Sequence, residues 1–288
     1  LIINMHHIIS DGWSSHVFIK ELGYFYQAVI HNHETSMPPL SIQYGDYAYW
    51  QKNWLVGDVL EQQLSYWSEQ LADAEILDLP TDRPRQQVMR YRGQTCHDKV
   101  ELSLVNKLKT IGQNEGATLF MTLLSSLQVL LSRYSGQKDI CIGTPVAGRQ
   151  TDTEALIGMF VNTVVLRGDL TGNPGFSELL RNAREVTLDA FAHQDAPFEK
   201  LVDDIQPERR QNVSPLFQVM LVLQNMPEMN MEQGDFTFSP IEADTKTAKF
   251  YLTIMINETP DGLVFHWEYN TDLFDQSSIE NMVGHYHN

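Results

Sequence analysis

The chain has 288 residues, of which 42% are hydrophobic and 20% are charged, so its composition excludes a wholly disordered or fibrous protein. Its 20 Lys and Arg residues against 37 Asp and Glu residues give a formal net charge of −17. A surface this acidic repels phosphate backbones and anionic lipid, so nucleic acid and membranes are poor candidate partners. Cys96 and Cys141 are the two cysteines, which excludes a disulfide framework and a cysteine zinc cluster and favours the reducing cytoplasm.

The first 80 residues begin with a pattern that predicts a buried strand over residues 1–5. Natural domains seldom begin inside a core strand, so we expect the chain to be a piece of a longer one. After a turn at residues 10–12, apolar residues at helical spacing predict a helix over about residues 14–30, with Ser14 as its N-cap. Two more helices are predicted, over residues 41–54 and 58–72.

The rest of the chain alternates between helical and strand-like segments after a proline-rich break at residues 79–84. The sequence predicts helices over residues 103–114, 118–134, 175–193 and 275–286, and strands over residues 95–102, 139–144, 163–170, 216–223, 236–241, 251–257 and 263–269. Pro260, Asp261 and Gly262 predict a hairpin turn between the last two strands. This interspersed pattern predicts an α/β fold with a mixed sheet.

The segment from Met5 to Gly12 carries the clearest local chemistry, because two adjacent histidines, His6 and His7, are followed by Asp11. Neighbours on a strand point to opposite faces, so one histidine is expected to face the interior and the other a cleft. A metal site is disfavoured, since the spacing does not suit an i, i+4 pair and no third ligand cluster is evident. A structural histidine pair and a catalytic imidazole, with an unperturbed pKa of about 6.5, both remain open on the residues alone.

A resemblance to a known family distinguishes these interpretations. Residues 6–12 match the HHxxxDG motif of the condensation domains of nonribosomal peptide synthetases. Four further blocks follow in that family's order, at residues 142–149, 157–163, 193–202 and 214–220. The family's fold is two-lobed and similar to chloramphenicol acetyltransferase. The resemblance implies that residues 1–80 end the N-terminal lobe, that residues 81–94 form a linker and that residues 95–288 form the C-terminal lobe.

The same resemblance implies an activity, namely amide (peptide) bond formation between a donor acyl or peptidyl thioester and an acceptor aminoacyl thioester. Both substrates are held on the phosphopantetheine arms of carrier domains, and no cofactor is expected to bind the chain directly. The implied partners are the donor and acceptor carrier domains, neighbouring synthetase domains and a second chain that supplies the missing N-terminal segment. Because the first lobe is expected to be incomplete, the isolated chain is expected to be weakly active or inactive. An epimerisation domain of the same superfamily and a non-catalytic docking module are the alternatives.

The resemblance also implies roles for individual residues. It implies that His7 is the catalytic imidazole, acting as a base or a positioning group, and that the backbone N–H of Gly12 faces the substrate. His6 is expected to be structural, and Asp11 to anchor the motif through an ion pair. Arg149 is the candidate partner for Asp11, and an arginine of the missing part is the rival. Three further residues are expected to lie along the substrate tunnel, namely Asn162, Ser214 and Gln218.

Overall fold

The structure is a computed structural model that describes residues 2–34, 36–206, 213–224, 231–233, 236–238 and 245–288. The chain forms two compact units. The first unit consists of Leu1–Glu61, Val146–Asn162 and Met226–Ala243. The second unit consists of Gln62–Pro145, Thr163–Asn225 and Asp244–Asn288. Each unit is described separately.

The helices are α1 (Gly12–Ile30), α2 (Tyr44–Trp54), α3 (Gly57–Gln70), α4 (Leu102–Asn114), α5 (Leu119–Ser135), α6 (Phe176–Ala192), α7 (Phe198–Ile205) and α8 (Gln276–Tyr286). The strands are β1 (Gly93–Glu101), β2 (Asp139–Val146), β3 (Asn162–Asp169), β4 (Val219–Gln224), β5 (Met231–Gln233), β6 (Phe236–Phe238), β7 (Leu252–Thr259) and β8 (Gly262–Asn270). Single turns of 3₁₀ helix occur at His7–Ile9 and Thr151–Thr153.

The second unit is built on a six-stranded sheet with the strand order β1-β8-β7-β4-β2-β3. Strand β8 runs antiparallel to both β1 and β7, whereas β4 runs parallel to β7 and to β2. The predicted α/β fold with a mixed sheet is therefore confirmed. The predicted hairpin is also present, because Thr259 pairs with Gly262 across the turn at Pro260 and Asp261.

The core of the second unit contains the helix α5, which is apolar on most of its surface. Leu124, Leu127 and Leu131 are each at most 1% exposed. Thr118 caps the start of this helix by accepting a hydrogen bond from the backbone N–H of Met121, and Gly136 ends it in the left-handed conformation at φ 75°. In the part of the chain that the structure describes, no single helix is long and apolar enough to cross a bilayer; α4 and α5 meet that test only jointly, across a bend of 97°.

Three local predictions for the first unit are wrong or incomplete. Residues 2–5 form no strand and have no strand partner among the described residues, and a strand without a partner leaves its backbone groups unpaired. The N-cap of α1 is Asp11, not Ser14, which lies inside the helix. The predicted strand at residues 236–241 is described for Phe236–Phe238, and residues 239–241 lie outside the described part. Strand β5 is not predicted by the sequence pattern.

The first change of unit along the chain falls between Glu61 and Gln62, before the segment predicted as a linker at residues 81–94. The linker segment is held to the second unit, because the backbone N–H of Asp82 donates to the carbonyl of Leu273 at 2.9 Å. Residues 62–80 also belong to that unit, where Trp67 is fully buried and its indole N–H donates to the carbonyl of His193 at 2.8 Å. The prolines therefore mark an irregular segment that is bonded to the second unit, and the lobe bounds that the resemblance implies stay predictions.

Candidate functional site

The two histidines lie on a tight turn that precedes α1. The imidazole Nδ1 of His6 accepts a hydrogen bond from the backbone N–H of Ile8 at 3.0 Å, and the carbonyl of His6 accepts from the N–H of Ile9 at 3.1 Å. His6 therefore caps the turn through its side chain, which is a structural contact. The strand prediction placed one of the two histidines in the interior, but both His6 and His7 are exposed.

The ring of His7 is oriented by the backbone carbonyl of Ser10. The distance between Nδ1 of His7 and the Ser10 oxygen is 2.8 Å. A carbonyl oxygen accepts but never donates, so Nδ1 carries the proton and the neutral ring has its lone pair on Nε2. Because Ser10 is only 6% exposed, this acceptor is held by the surrounding protein. The arrangement fixes the tautomer that a proton-accepting Nε2 requires.

Asp11 does not orient the ring of His7, because both of its carboxylate oxygens accept hydrogen bonds from other residues. Its Oδ1 accepts from the backbone N–H and the hydroxyl of Ser14, each at 2.7 Å, and from Nη2 of Arg149 at 2.9 Å. Its Oδ2 accepts from the backbone N–H of Phe160 at 3.1 Å. Asp11 thus caps α1 and anchors the segment 149–160 to the start of that helix.

Arg149 completes this anchor as a buried ion-pair partner of Asp11, with 3% of the arginine side chain and 4% of the aspartate side chain exposed. Its Nη1 donates to the carbonyls of Thr153 and Leu156, both at 2.8 Å. Its guanidinium carbon lies 4.1 Å from the centroid of the Phe160 ring, which is cation–π geometry. One side chain therefore ties residues 153–160 to the capping aspartate of α1.

Ser14 contacts both Asp11 and Arg149, and sequence analysis missed this role. It is fully buried, and its hydroxyl lies 2.8 Å from the carbonyl of Gly158 and 2.9 Å from Nη2 of Arg149, in addition to its bond with Asp11. It also accepts from the N–H of Gly158 at 3.0 Å. One local signal for the bond with Asp11 is the spacing, because Ser14 lies three residues after Asp11, where an N-cap side chain accepts a backbone hydrogen bond. The contact with Gly158, 144 residues away, has no local signal.

Gly158 and Phe160 fit closely against α2 in the same unit. A Cβ on Gly158 would lie 2.1 Å from a ring carbon of Tyr44, so the loop can approach α2 only with glycine there. The Tyr44 hydroxyl donates to the carbonyl of Met159 at 2.9 Å, and its ring meets Phe160 edge-on with centroids 5.1 Å apart. We refer to Asp11, Ser14, Arg149, Gly158 and Phe160 as the anchor cluster.

Replacing Ser14 with alanine is expected to lower the free energy of unfolding by about 1–3 kcal/mol, because it leaves buried partners without a hydrogen bond. Ser15 provides the matched control: its half-buried hydroxyl makes one long bond, 3.3 Å, to the carbonyl of Asp11, so Ser15→Ala should change stability by less than about 0.5 kcal/mol. Urea unfolding of the two variants measures the difference. Equal losses from both would contradict the assigned role of Ser14.

The pKa of Asp11 lies below its usual 3.8: burial alone would raise it, but the hydrogen bonds from Ser14, Phe160 and Arg149 outweigh burial. A carboxyl whose pKa falls on folding stabilises the protein fully above its unfolded pKa, and this contribution is lost as the pH falls through the folded pKa. We therefore expect stability to decline below about pH 4. An NMR titration should place the midpoint of Asp11 below 3.8 and that of Asp195, whose pKa is raised by burial, above it. The reverse order would contradict the bonding described here.

The three residues expected along a substrate tunnel belong to different units of the chain. Asn162 begins β3 and belongs to the first unit, whereas Ser214 and Gln218 belong to the second. Gln218 is 1% exposed, its Oε1 accepts from the N–H of Leu77 at 2.8 Å, and its Nε2 donates to the carbonyl of Ser214 at 2.9 Å. A buried amide has to satisfy both of its polar atoms, and Gln218 does so with backbone groups, while its place along a tunnel stays a prediction.

Gly12 is the first residue of α1 and is exposed. Its backbone N–H belongs to the first helical turn, where N–H groups have no intrahelical acceptor. Among the described residues, no group of three His, Cys, Asp or Glu side chains is arranged to hold a metal ion. The site therefore consists of an oriented imidazole, the exposed first residue of α1 and the buried anchor cluster.

The sequence matches the condensation domain family over residues 1–288, so the chain belongs to that family. One of the linear gramicidin synthase proteins of Brevibacillus parabrevis is 50% identical over 291 residues, covering 100% of this chain and 4% of that synthase protein. Malpinin synthetase of Mortierella alpina is 43% identical over 289 residues, covering 100% of this chain and 4% of the synthetase. The chain thus spans a small fraction of the length of these nonribosomal peptide synthetases.

Solved structures agree with this assignment. The X-domain from teicoplanin biosynthesis has a TM-score of 0.89 at 25% identity, covering 98% of this chain and 66% of that one. The four-domain nonribosomal peptide synthetase holo-AB3403, bound to AMP and glycine, has a TM-score of 0.85 at 25% identity, covering 97% of this chain and 22% of that one. The fold is therefore that of condensation domains, which is similar to chloramphenicol acetyltransferase. An epimerisation domain of tyrocidine synthetase shares the fold alone, at 16% identity and a TM-score of 0.79.

Proposed function

We propose that the chain catalyses amide bond formation between a donor acyl or peptidyl thioester and the α-amine of an acceptor aminoacyl thioester. Membership of the condensation domain family supports this reaction class. The single observation that carries the proposal is the hydrogen bond between Nδ1 of His7 and the Ser10 carbonyl, since it leaves Nε2 as the proton-accepting nitrogen of an exposed imidazole.

In the proposed reaction the neutral amine nitrogen attacks the thioester carbonyl carbon, the new C–N bond forms and the C–S bond breaks. The amine loses one proton, which Nε2 of His7 accepts, and the departing donor thiolate takes up a proton, so the ring is neutral again at the end. A thioester is already activated, so much of the acceleration is expected from alignment, for which effective molarities of about 10⁵ M or more are known. His7 adds proton acceptance or a hydrogen bond to the tetrahedral state.

The anchor cluster holds the turn that carries His7 without taking part in proton transfer. Both oxygens of Asp11 are bonded to Ser14, Arg149 and Phe160, so the carboxylate fixes the start of α1. The N–H of Gly12, in the first turn of that helix, is proposed to face the substrate, because a helix start favours developing negative charge. His6 supports the turn through its bond with Ile8.

The substrates are proposed to arrive on the phosphopantetheine arms of donor and acceptor carrier domains, with neighbouring synthetase domains as further partners and the cytoplasm as the location. The relatives support this setting, since they are multidomain nonribosomal peptide synthetases. The chain itself is proposed to need no directly bound cofactor.

Product analysis tests the reaction class. The complete polypeptide to which the chain belongs is mixed with a donor carrier and an acceptor carrier loaded with different L-amino acids, and the carrier-bound products are identified by mass spectrometry and chiral analysis. We expect a dipeptide on the acceptor carrier. D-configured monomer without a new amide bond would overturn the proposal in favour of epimerisation. Carrier binding without either product would overturn it in favour of a docking module.

A further inference from the structure

An irregular segment of the second unit, residues 84–89, is fastened at both ends to the end of β8 and the loop that follows it. Before the segment, the backbone N–H of Asp82 donates to the carbonyl of Leu273 at 2.9 Å. After it, the carbonyl of Arg90 accepts a hydrogen bond from Nδ2 of Asn270 at 2.8 Å. We refer to residues 84–89 as the strap, because both of its ends are bonded to the same short stretch of chain.

A small cavity lies beneath the strap. It is lined by residues of the strap and Arg90, and by Tyr251, Asn270 and Asp272. The centre of a water-sized molecule has a volume of about 20 Å³ open to it in this cavity. One water molecule needs about 10–15 Å³ by this measure, so the cavity admits a single molecule of about that size.

Two buried polar atoms of the cavity-lining residues have no hydrogen-bond partner in the part of the chain that the structure describes. One is the hydroxyl of Tyr251, a residue that is 2% exposed, and the other is Oδ2 of Asp272. The side chain of Asn270, at the same cavity, bonds backbone groups instead: Nδ2 donates to the Arg90 carbonyl, and Oδ1 accepts from the N–H of Asp272 at 2.9 Å. A buried polar group without a partner destabilises the fold, so both atoms would gain from a ligand that bonds them.

The charges around the cavity select the chemistry of that ligand. A carboxylate oxygen such as Oδ2 of Asp272 only accepts hydrogen bonds, so the ligand has to donate one, which excludes an anion. Two arginines, Arg85 and Arg90, line the same cavity, and the guanidinium carbon of Arg85 lies 5.7 Å from the centroid of the Tyr251 ring. A further cation such as ammonium would be repelled by these two positive charges. The ligand that remains is neutral, has one heavy atom and both donates and accepts hydrogen bonds.

We propose that the cavity is a binding site for one water molecule, which accepts a hydrogen bond from the Tyr251 hydroxyl and donates one to Oδ2 of Asp272. Tyr251 directly precedes β7 and Asp272 follows β8, so the water links the start of one strand to the end of its neighbour beneath the strap. A buried water with such partners is part of the structure and is costly to remove. This inference is independent of the proposed reaction, because all of its residues belong to the second unit.

The sign of one substitution tests the proposal. If a water bonds the Tyr251 hydroxyl, Tyr251→Phe removes a hydrogen bond, and we expect the equilibrium constant for unfolding, measured in urea, to rise about three- to ten-fold. If the hydroxyl has no partner, the same change removes a buried unpaired group and the constant should fall. Tyr269→Phe is the matched reference, since Tyr269 is 1% exposed and its hydroxyl donates to Oε1 of Gln94 at 3.0 Å, so its constant should also rise. Tyr91→Phe, at an exposed hydroxyl next to Arg90, should leave the constant unchanged.

A crystal structure of the unaltered chain, at a resolution that shows ordered waters, tests the same point even if a variant fails to fold. We expect one water within about 3.2 Å of both the Tyr251 hydroxyl and Oδ2 of Asp272. Electron density without a water at this position, or a direct hydrogen bond between Tyr251 and Asp272, would overturn the inference. A fall of the unfolding constant in Tyr251→Phe would overturn it as well.

Discussion

His7→Ala is expected to lower the rate of amide formation by about 10²–10⁴-fold, which is the usual contribution of a positioned acid–base group. The same change should leave thermal stability nearly unaltered, because the imidazole is exposed and what it contributes to the turn is a hydrogen bond to Ser10. Rates are measured in the complete polypeptide with loaded carriers, and melting temperatures by differential scanning calorimetry. Loss of rate at constant stability is the result that a chemical role for the imidazole requires.

A control distinguishes this effect from the removal of any histidine. His33 is exposed and lies in the same unit, beyond the end of α1, so His33→Ala should keep the rate of the unaltered protein. If His7→Ala retained more than about a tenth of that rate, the imidazole would not be the group that accepts the proton. If the rate and the stability fell together, His7 would be a structural residue of the turn.

Elements with strong local signals are predicted well from the sequence. The helix α5 combines a capping threonine, a run of apolar residues and a terminal glycine, and each of these acts within a few residues. The hairpin of β7 and β8 is likewise set by a short turn between two alternating strands. Local chemistry of this kind needs no knowledge of distant residues, which is why α5 and the hairpin follow from it.

The features that sequence analysis missed depend on contacts between distant residues. The hydrogen bond from the N–H of Leu77 to the side chain of Gln218, 141 positions away, is one such contact. Residues 2–5 have the composition of a strand, yet a strand exists only where a partner supplies hydrogen bonds. The pairing of Asp11 with Arg149 follows from the resemblance to a family, since nothing in the 138 positions between them indicates it locally.

Asp11→Ala is expected to lower the free energy of unfolding by about 3–5 kcal/mol, because it leaves the buried guanidinium of Arg149 without its countercharge. Arg149→Ala should lower the free energy of unfolding by a similar amount, since it leaves the buried carboxylate of Asp11 without its cation. It also removes the bonds to the Thr153 and Leu156 carbonyls. The double variant should lose less than the sum of the two single losses, because the bond between Asp11 and Arg149 is lost only once and neither charge is left buried without the other.

Urea unfolding of the two single variants and the double variant measures this coupling, and Lys109→Ala provides the comparison. Lys109 pairs with Glu258 where both side chains are more than a third exposed, at 35% and 44%, so its loss should cost less than about 1 kcal/mol. Burial, not the presence of opposite charges, is what makes the Asp11–Arg149 pair costly to break. Unchanged unfolding of Asp11→Ala with a lost reaction rate would instead assign Asp11 to the chemistry, and the anchor cluster would not be what holds the turn of His7 in place.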